Sequence, residues 1–148
     1  MRRLLIVLIL AAAQGCEQPP TVEQRIIAEI RDMEARIEEG ARLNFMSHFA
    51  EDFRGQGGRM NRDQLRAFVV LQLRRYEKLN ARLLPITAQE IGDREATAEF
   101  RVLLTGGSGW LPESGQMYRI RTHWRLDDGD WLVVAAWWEP LQLSDLDD

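Results

Sequence analysis

The sequence predicts an α+β fold in which helices come first and an antiparallel sheet follows. Two observations carry this prediction. Between residues 22 and 76 the apolar side chains recur every three or four positions, which is the period of an amphipathic helix. After Lys78 the period becomes two, as in strands that are buried on one face only. A block of helices followed by a block of strands is typical of the α+β class.

Length and composition fit one globular domain. The chain has 148 residues, of which 45% are hydrophobic and 28% are charged. This is long enough to bury a core of ordinary size. The composition excludes a disordered chain, a collagen-like repeat, a disulfide-rich scaffold and a membrane protein with several spans.

The first residues have the features of a signal peptide. Arg2 and Arg3 precede an apolar run, Leu4–Ala13, that is too short to span a bilayer as a helix. The run leads into Ala13-Gln14-Gly15-Cys16, which resembles the lipobox of bacterial lipoproteins. That resemblance implies that Cys16 becomes the mature N-terminus and carries the lipid, palmitate included. The alternative is an ordinary signal-peptidase site that has a cysteine beside it by chance.

The cysteine count and the net charge exclude an intramolecular disulfide and argue against polyanionic partners. Cys16 is the only cysteine, so no disulfide can form within the chain. Loss of residues 1–15 removes two arginines and brings the net charge from −4 to −6. An acidic chain is a poor match for nucleic acid or anionic lipid.

The lipoprotein resemblance places the protein in the bacterial cell envelope. Glu17 after the cysteine slightly favours the periplasmic face of the outer membrane, because inner-membrane retention often goes with Asp.

Three helices are predicted after a short tether. Thr21 and Gln24 form a capping-box pattern, and Gly40 interrupts the helix that follows. A second helical stretch follows Gly40, and Asn61 with Gln64 marks the start of a third, which runs to about Tyr76. The apolar stripes of the three are Val22, Ile26, Ile30, Met33 and Ile37; Leu43, Met46, Phe49 and Phe53; and Leu65, Phe68, Val69, Gln72 or Leu73, and Tyr76.

Four strand segments are predicted in the second half. Leu79–Ile91 is broken by Pro85 and is therefore expected to bend or to lie at an edge. Residues 96–104 and 118–126 alternate clearly between apolar and polar side chains. Asp127–Asp130 has the composition of a tight turn. Trp131–Trp138 is apolar on both faces, so both of its faces should be covered.

The organisation resembles that of the nuclear transport factor 2-like, or cystatin-like, superfamily. The resemblance rests on residues 38–42 and 49–53, which look like its first-helix signature, and on helices followed by long strands with a Trp-rich last one. It implies a cone, in which a curved sheet wraps around a long helix and leaves a cavity at its open end. The predicted organisation is a signal peptide at 1–15, a lipidated cysteine and tether at 16–21, the cone domain at 22–140 and an acidic tail at 141–148. The superfamily includes ketosteroid isomerases, dehydratases, SnoaL-like polyketide cyclases and many non-enzymes, so the fold does not fix the function.

One pair of residues has the spacing of a general base and its orienting carboxylate. His48 and Asp52 lie four apart in the predicted second helix and would share a face. They would serve an isomerase or dehydratase at the mouth of the cavity. The alternative, which we favour, is an ion pair on the helix surface.

The apolar face of the sheet offers a possible ligand pocket. Tyr118, Thr122, Trp124 and Trp137 are expected to line the cone and to bind a small apolar ligand, which the hydroxyls would orient. The alternative is that these rings fill the core. Neither clear strand carries an acidic residue on this face, which argues against chemistry of the ketosteroid-isomerase type.

The polar face and one loop offer a possible interface. Arg119, Arg121 and His123 would face Glu95 and Glu99 on the next strand. They form either an anion site or pH-sensitive interface, or a solvated face of paired charges. Trp110 lies in a predicted loop and is a candidate contact residue. Because Trp131–Trp138 is apolar on both faces, we also expect a homodimer that covers the outer side of the sheet.

The sequence predicts no metal site and no cofactor, since it has two distant histidines and no cysteine pair. The leading hypothesis is a membrane-anchored envelope lipoprotein. Its cone-shaped, non-catalytic domain would bind a small apolar ligand or a partner protein. The first alternative is the isomerase or dehydratase that uses His48 and Asp52. The second is a structural subunit that acts through the convex face of the sheet.

Overall fold

A computed structural model describes residues 18–76, 78–107 and 114–142. Within them the chain forms three α-helices and seven strands, with a single 3-10 turn at Gln56–Gly58. The helices are α1 (Val22–Glu38), α2 (Arg42–Ser47) and α3 (Arg62–Arg75). The strands are β1 (Phe49–Gly55), β2 (Met60–Asn61), β3 (Lys78–Leu83), β4 (Thr87–Gly92), β5 (Glu95–Gly107), β6 (Ser114–Asp127) and β7 (Asp130–Pro140).

All seven strands belong to one sheet, in the order β2-β1-β7-β6-β5-β3, with β4 also paired to β5. The α+β class is confirmed, but the sheet is mixed rather than antiparallel throughout, because β1 runs parallel to β7. Segment 79–91 is broken at Pro85, as predicted, into two strands. Both pair with β5, which is long enough to accept β3 along residues 102–107 and β4 along residues 95–99.

The ends of α1 and α3 follow the sequence signals. Thr21 and Asn61 are the N-caps, and each forms a complete capping box with the glutamine three residues later. Beyond the C-cap of α1, Gly40 adopts a positive φ of 67°. Its N–H and that of Ala41 bond to carbonyls of the last turn, so the helix ends in a Schellman-type arrangement.

The predicted second helix is too long. α2 ends at Ser47, and from Phe49 the chain is strand β1. Phe49 and Phe53 are buried as predicted, whereas Leu43 is 76% exposed. The error has a simple cause. Residues four apart share a face both in a helix and in a strand, so this spacing cannot separate the two.

The stripe predicted for α3 is also only partly right. Leu65 and Val69 are buried, but Phe68 is 43% exposed. The helix buries the narrow strip that faces β1 and leaves the next apolar position at the boundary with solvent.

The helices and one face of the sheet enclose a single core. Side chains from α1, α2, α3, β1, β5, β6 and β7 belong to it. Its largest members without solvent exposure are Trp124, Phe53, Ile26 and Val133.

Candidate functional site

The alternation of β5, β6 and β7 divides the sheet into two faces. The inner face packs against the helices and includes Ala96, Ala98 and Trp124, all buried. The outer face, on the side away from α1, is half-buried or exposed along these strands. On β6 it carries Met117, Arg119, Arg121, His123 and Arg125. These two faces are the places where the predicted pocket and the predicted interface should lie.

A β-bulge in β7 decides which tryptophan faces inward. On β6, His123 pairs with Ala135 while the next residue, Trp124, pairs with Val133, so Val134 is the extra residue. The bulge reverses the alternation after that point. The prediction of Trp137 as a pocket residue is therefore wrong, since it lies on the outer face and is 39% exposed. Trp138 takes the inward position and packs against the core.

The inner face is filled by the protein's own side chains at the predicted pocket. Trp124 is fully buried, and its Nε1 donates a hydrogen bond to Oγ1 of Thr122 at 2.7 Å. The Thr122 hydroxyl in turn donates to the carbonyl of Ala98 at 3.3 Å. Tyr118 is half-buried on the same face. The polar groups of Trp124 and Thr122 are thus bonded to each other and to the backbone. Both are core residues rather than residues that face a ligand.

His48 does not pair with Asp52. It lies at the C-cap of α2, 7% exposed, with Nδ1 at 3.0 Å from Glu29 and Nε2 at 3.0 Å from Asp32. An ionised carboxylate only accepts hydrogen bonds, so both contacts form together only when the ring carries two protons. Arg36 is bonded to the far side of Asp32. Burial acts to raise the pKa of Asp32, but Arg36 and His48 outweigh it and hold that pKa below its usual value.

The His48 arrangement joins α1 to the sheet. While the ring holds two carboxylates of α1, the carbonyl of His48 accepts a hydrogen bond from the N–H of Val133 at 2.8 Å. Neither ring nitrogen is left to remove a proton from a substrate. Sequence reasoning missed Glu29 and Asp32 as the partners. Their only signal was a pair of acids three apart at the margin of the apolar stripe of α1.

Asp52 lies on β1 and is paired with Arg125 of β6. The guanidinium contacts the two carboxylate oxygens at 3.0 and 3.1 Å, and its Nε contacts Asp127. The hydrogen bonds from Arg125 hold the pKa of Asp52 and of Asp127 below their usual values. Because β7 lies between β1 and β6, this side chain crosses the outer face of the sheet near Leu132.

The charged residues predicted for the interface are on the outer face. Arg119 contacts Glu139 at 3.3 Å, and His123 lies 3.5 Å from Glu95. Arg121 sits in register between Glu99 and Trp137. The predicted row of cations beside acids is therefore present in the geometry. Trp110, the other predicted interface residue, lies outside the described residues, as does Cys16.

An apolar strip runs beside these charges. Trp137 is its most exposed member. Leu132 and Ala135 are half-buried beside it on β7. Leu103 on β5 and Met117 on β6 are also half-buried on the outer face, but the register places the row of Arg101, Arg119 and Glu139 between them and Trp137.

A separate shallow cleft of about 340 Å³ opens between the β1–β2 hairpin and the start of α3. Its walls are polar and include Glu51, Arg54, Arg62 and Asp63. Arg62 is mostly used internally, with bonds to the carbonyls of Phe49 and Met46. The cleft therefore offers mixed charges and little apolar surface to a ligand.

Over residues 18–76, 78–107 and 114–142 no group of three or more metal-ligating side chains is present. The same part of the chain has no helix that is long and apolar enough to cross a membrane.

Comparison with known proteins shows the fold. No family model and no curated protein matches the sequence. Among solved structures, the chain is similar to Bd1075 of Bdellovibrio bacteriovorus, with a TM-score of 0.70 and 9% identity over 81% of this chain. This match spans only 41% of the Bdellovibrio protein.

Two further structures cover most of both chains. One is a nuclear transport factor 2-like protein of unknown function from Pseudomonas putida, with a TM-score of 0.68 and 16% identity over 82% of this chain and 88% of that one. The other is a putative scytalone dehydratase from Novosphingobium aromaticivorans, with a TM-score of 0.68 and 13% identity over 80% and 83%. The fold is thus the nuclear transport factor 2-like cone, as the sequence resemblance implied.

Proposed function

We propose that this chain is a non-catalytic interaction module. In this proposal a lipid on Cys16 anchors it in the cell envelope, and the outer face of its sheet binds a second copy of the chain. The observation that carries the proposal is the outer face itself, where Trp137 is 39% exposed within a strip of apolar side chains.

The filled inner face favours a protein partner over a small apolar ligand. A pocket for such a ligand needs apolar walls with a few polar groups free to orient it. Here Trp124 is fully buried and bonded to Thr122, whose hydroxyl is bonded to the backbone. The same argument weakens the alternative of an isomerase or dehydratase, because both nitrogens of His48 are held by carboxylates of α1. The dehydratase named above shares the fold, and at 13% identity the likeness extends no further.

A second copy fits the chemistry of the outer face. In a two-fold interface the same patch is used twice, so it must complement itself. The outer face carries arginines on β6 and acids on the neighbouring strands, around apolar side chains on β7. An aromatic centre with a polar rim is the usual anatomy of a protein interface.

The anchoring part of the proposal rests on sequence alone. A short apolar run that ends in Ala13-Gln14-Gly15-Cys16 has the order of a lipoprotein signal. Replacement of Cys16 by serine should release the protein from cell membranes washed at high salt, because the acyl chains would be lost. If the Cys16→Ser chain stays with the salt-washed membranes as the parent does, the lipid anchor is wrong.

Self-association is tested on the lipid-free chain that starts at Glu17 and retains every described helix and strand. Sedimentation velocity should give a dimer for this chain and a monomer for Trp137→Glu, because a charge would enter the centre of the interface. Ile91→Glu is the matched control, since Ile91 is an apolar strand residue of similar exposure, 49%, on β4. A parent chain that stays monomeric at high concentration, or a dimer that survives Trp137→Glu, would contradict the proposal.

A further inference from the structure

The segment that leads into and includes α3 differs in charge from the rest of the chain. Residues 54–75 contain six arginines and a single aspartate, although the whole chain has a net charge of −4. The helices form one layer on the inner side of the sheet, because α2 contacts both α1 and α3 and all three contribute to one core. Such a charge asymmetry points to an anionic partner that the net charge conceals.

We infer that this helical surface lies on the anionic lipid surface of the membrane. The inference rests on the proposed anchoring and adds to it a docking surface and an orientation. It also modifies the sequence-based expectation that the acidic chain avoids anionic lipid, since that expectation used only the average charge.

Three of the acids of α1 are bonded to other parts of the domain. The carboxylates of Glu29 and Asp32 both contact the ring of His48. The carboxylate of Glu34 accepts a hydrogen bond from the N–H of Leu83. Of the arginines of α1, Arg31 is exposed, Arg25 donates a hydrogen bond to the carbonyl of Gly129, and Arg36 is paired with Asp32 and Glu39. Three acids of the helix are thus used within the fold, and Arg31 is exposed on its surface.

The face of α3 adds apolar side chains to the cations. Leu71 is 61% exposed and Phe68 is 43% exposed. They lie three residues apart on the helix, so they are neighbours on its surface. Arg74 and Arg75 are exposed three and four residues after Leu71, on its side of the helix, and Arg75 lies over the ring of Tyr76. Arg66 is exposed on another side of α3 and is paired with Asp63 at 3.2 Å. Apolar side chains among arginines are the composition of a helix that lies in the membrane interface.

The helical surface also carries exposed acids, among them Asp63 in the first turn of α3, which is 84% exposed and paired with Arg66. Glu38 and Glu39 are exposed at the C-terminal end of α1, where Glu39 is bonded to Arg36. Leu43 of α2, 76% exposed, extends the apolar part of the surface.

The proposed anchor places this surface close to the bilayer. Only four residues separate Cys16 from Thr21, the N-cap of α1, and a chain that short reaches about 17 Å when extended. If the helices face the membrane, the outer face of the sheet points away from it and is free to bind the second copy. The two proposed surfaces therefore do not compete.

The test uses the lipid-free chain that starts at Glu17, so that binding does not depend on the anchor. It is mixed with phosphatidylcholine vesicles, with and without phosphatidylglycerol, and the bound fraction is measured by co-sedimentation. We expect binding only to the anionic vesicles, and weaker binding at raised salt. Arg66→Gln/Arg74→Gln/Arg75→Gln should weaken the partition by more than about tenfold, and Phe68→Ser/Leu71→Ser should also weaken it.

The matched control changes two arginines outside the helices. Arg82→Gln/Arg94→Gln removes two exposed arginines from β3 and from the turn between β4 and β5. It should change vesicle binding by less than roughly twofold, because both residues lie outside the helices and outside the proposed dimer interface. Circular dichroism verifies that each variant is folded. Equal binding to both vesicle types, no binding to either, or a loss caused by the control would overturn the inference. So would binding to a single-stranded or duplex oligonucleotide in preference to vesicles. None of these results depends on Cys16 or on dimerisation, so failure here is distinct from failure of the proposed function.

Discussion

Trp124 and Thr122 form a buried hydrogen bond of 2.7 Å on the inner face of β6. Both side chains are at most 6% exposed. The indole N–H donates to a hydroxyl of the same strand, and that hydroxyl donates a hydrogen bond to the carbonyl of Ala98 on β5. This pair fixes the ring that fills the centre of the cone.

Removal of the Thr122 hydroxyl should destabilise the protein without changing its shape. Thr122→Val leaves the Trp124 N–H buried without an acceptor, which costs about 1–3 kcal/mol. Urea unfolding measures the loss. Thr122→Ser is the control, since it keeps the hydroxyl and loses only a methyl group. If Thr122→Val and Thr122→Ser unfold at the same urea concentration, the hydrogen bond is not what holds the ring.

The structural role of His48 predicts a cost in stability. His48→Ala should lower the free energy of unfolding by roughly 1–3 kcal/mol, because Glu29 and Asp32 would lose a buried partner. Its matched control is His123→Ala on the outer face. That side chain is 34% exposed and contacts a single acid, Glu95, at the longer distance of 3.5 Å. We expect that change to cost less than about 0.5 kcal/mol. If the two substitutions lower the free energy of unfolding equally, the contacts of His48 with α1 do not stabilise the fold.

Sequence patterns found the elements whose signals are local. The capping boxes at Thr21 and Asn61 and the alternation of β5 and β6 depend on residues within a few positions of one another, so they could be read directly. Strand β1 could not, because Phe49 and Phe53 have a spacing that fits a helix equally well. The inserted residue Val134 leaves no mark in an apolar run, and it alone sends Trp137 outward.

The candidate site was harder to predict for the same reason. The partners of His48 lie 16 and 19 residues away along the chain, and Arg125 lies 73 residues from Asp52. A spacing of four between His48 and Asp52 suggested a contact that the change from helix to strand removes. The charged row on β6 was found because alternation alone places it on one face.

The bridge between Asp52 and Arg125 predicts a dependence on pH in the acid range. The pKa of Asp52 is lowered in the folded protein, chiefly by the hydrogen bonds from Arg125. Its ionised form therefore contributes stability above the pKa of the unfolded chain, and the contribution is lost as the pH falls through the folded value. Asp52→Asn should be less stable than the parent at neutral pH, and the difference should shrink in acid.

Urea titrations at neutral and acid pH measure that difference. The side chain of Asp52 is 61% exposed, so we expect a small effect that weakens further in salt. Asp93→Asn, in the exposed turn between β4 and β5, is the control. A difference between Asp52→Asn and the parent that stays constant with pH would show that the carboxylate charge contributes nothing.

The close contact between Gly106 and Tyr76 holds the end of α3 against the sheet, which predicts a cost for any larger residue at position 106. A Cβ at this position would lie 2.6 Å from the ring of Tyr76, the C-cap of α3. The ring would have to move, so Gly106→Ala should cost about 1–3 kcal/mol and loosen the end of the helix. Hydrogen exchange of the last turn of α3 should rise with it. Gly115→Ala is the matched control on the neighbouring strand, because its Cβ would meet Thr105 at an ordinary 3.4 Å.

Combining Gly106→Ala with Tyr76→Ser should recover part of the loss, since the smaller side chain makes room for the methyl group. If the double variant is as unstable as the sum of the two single ones, the contact between Tyr76 and Gly106 is not the cause.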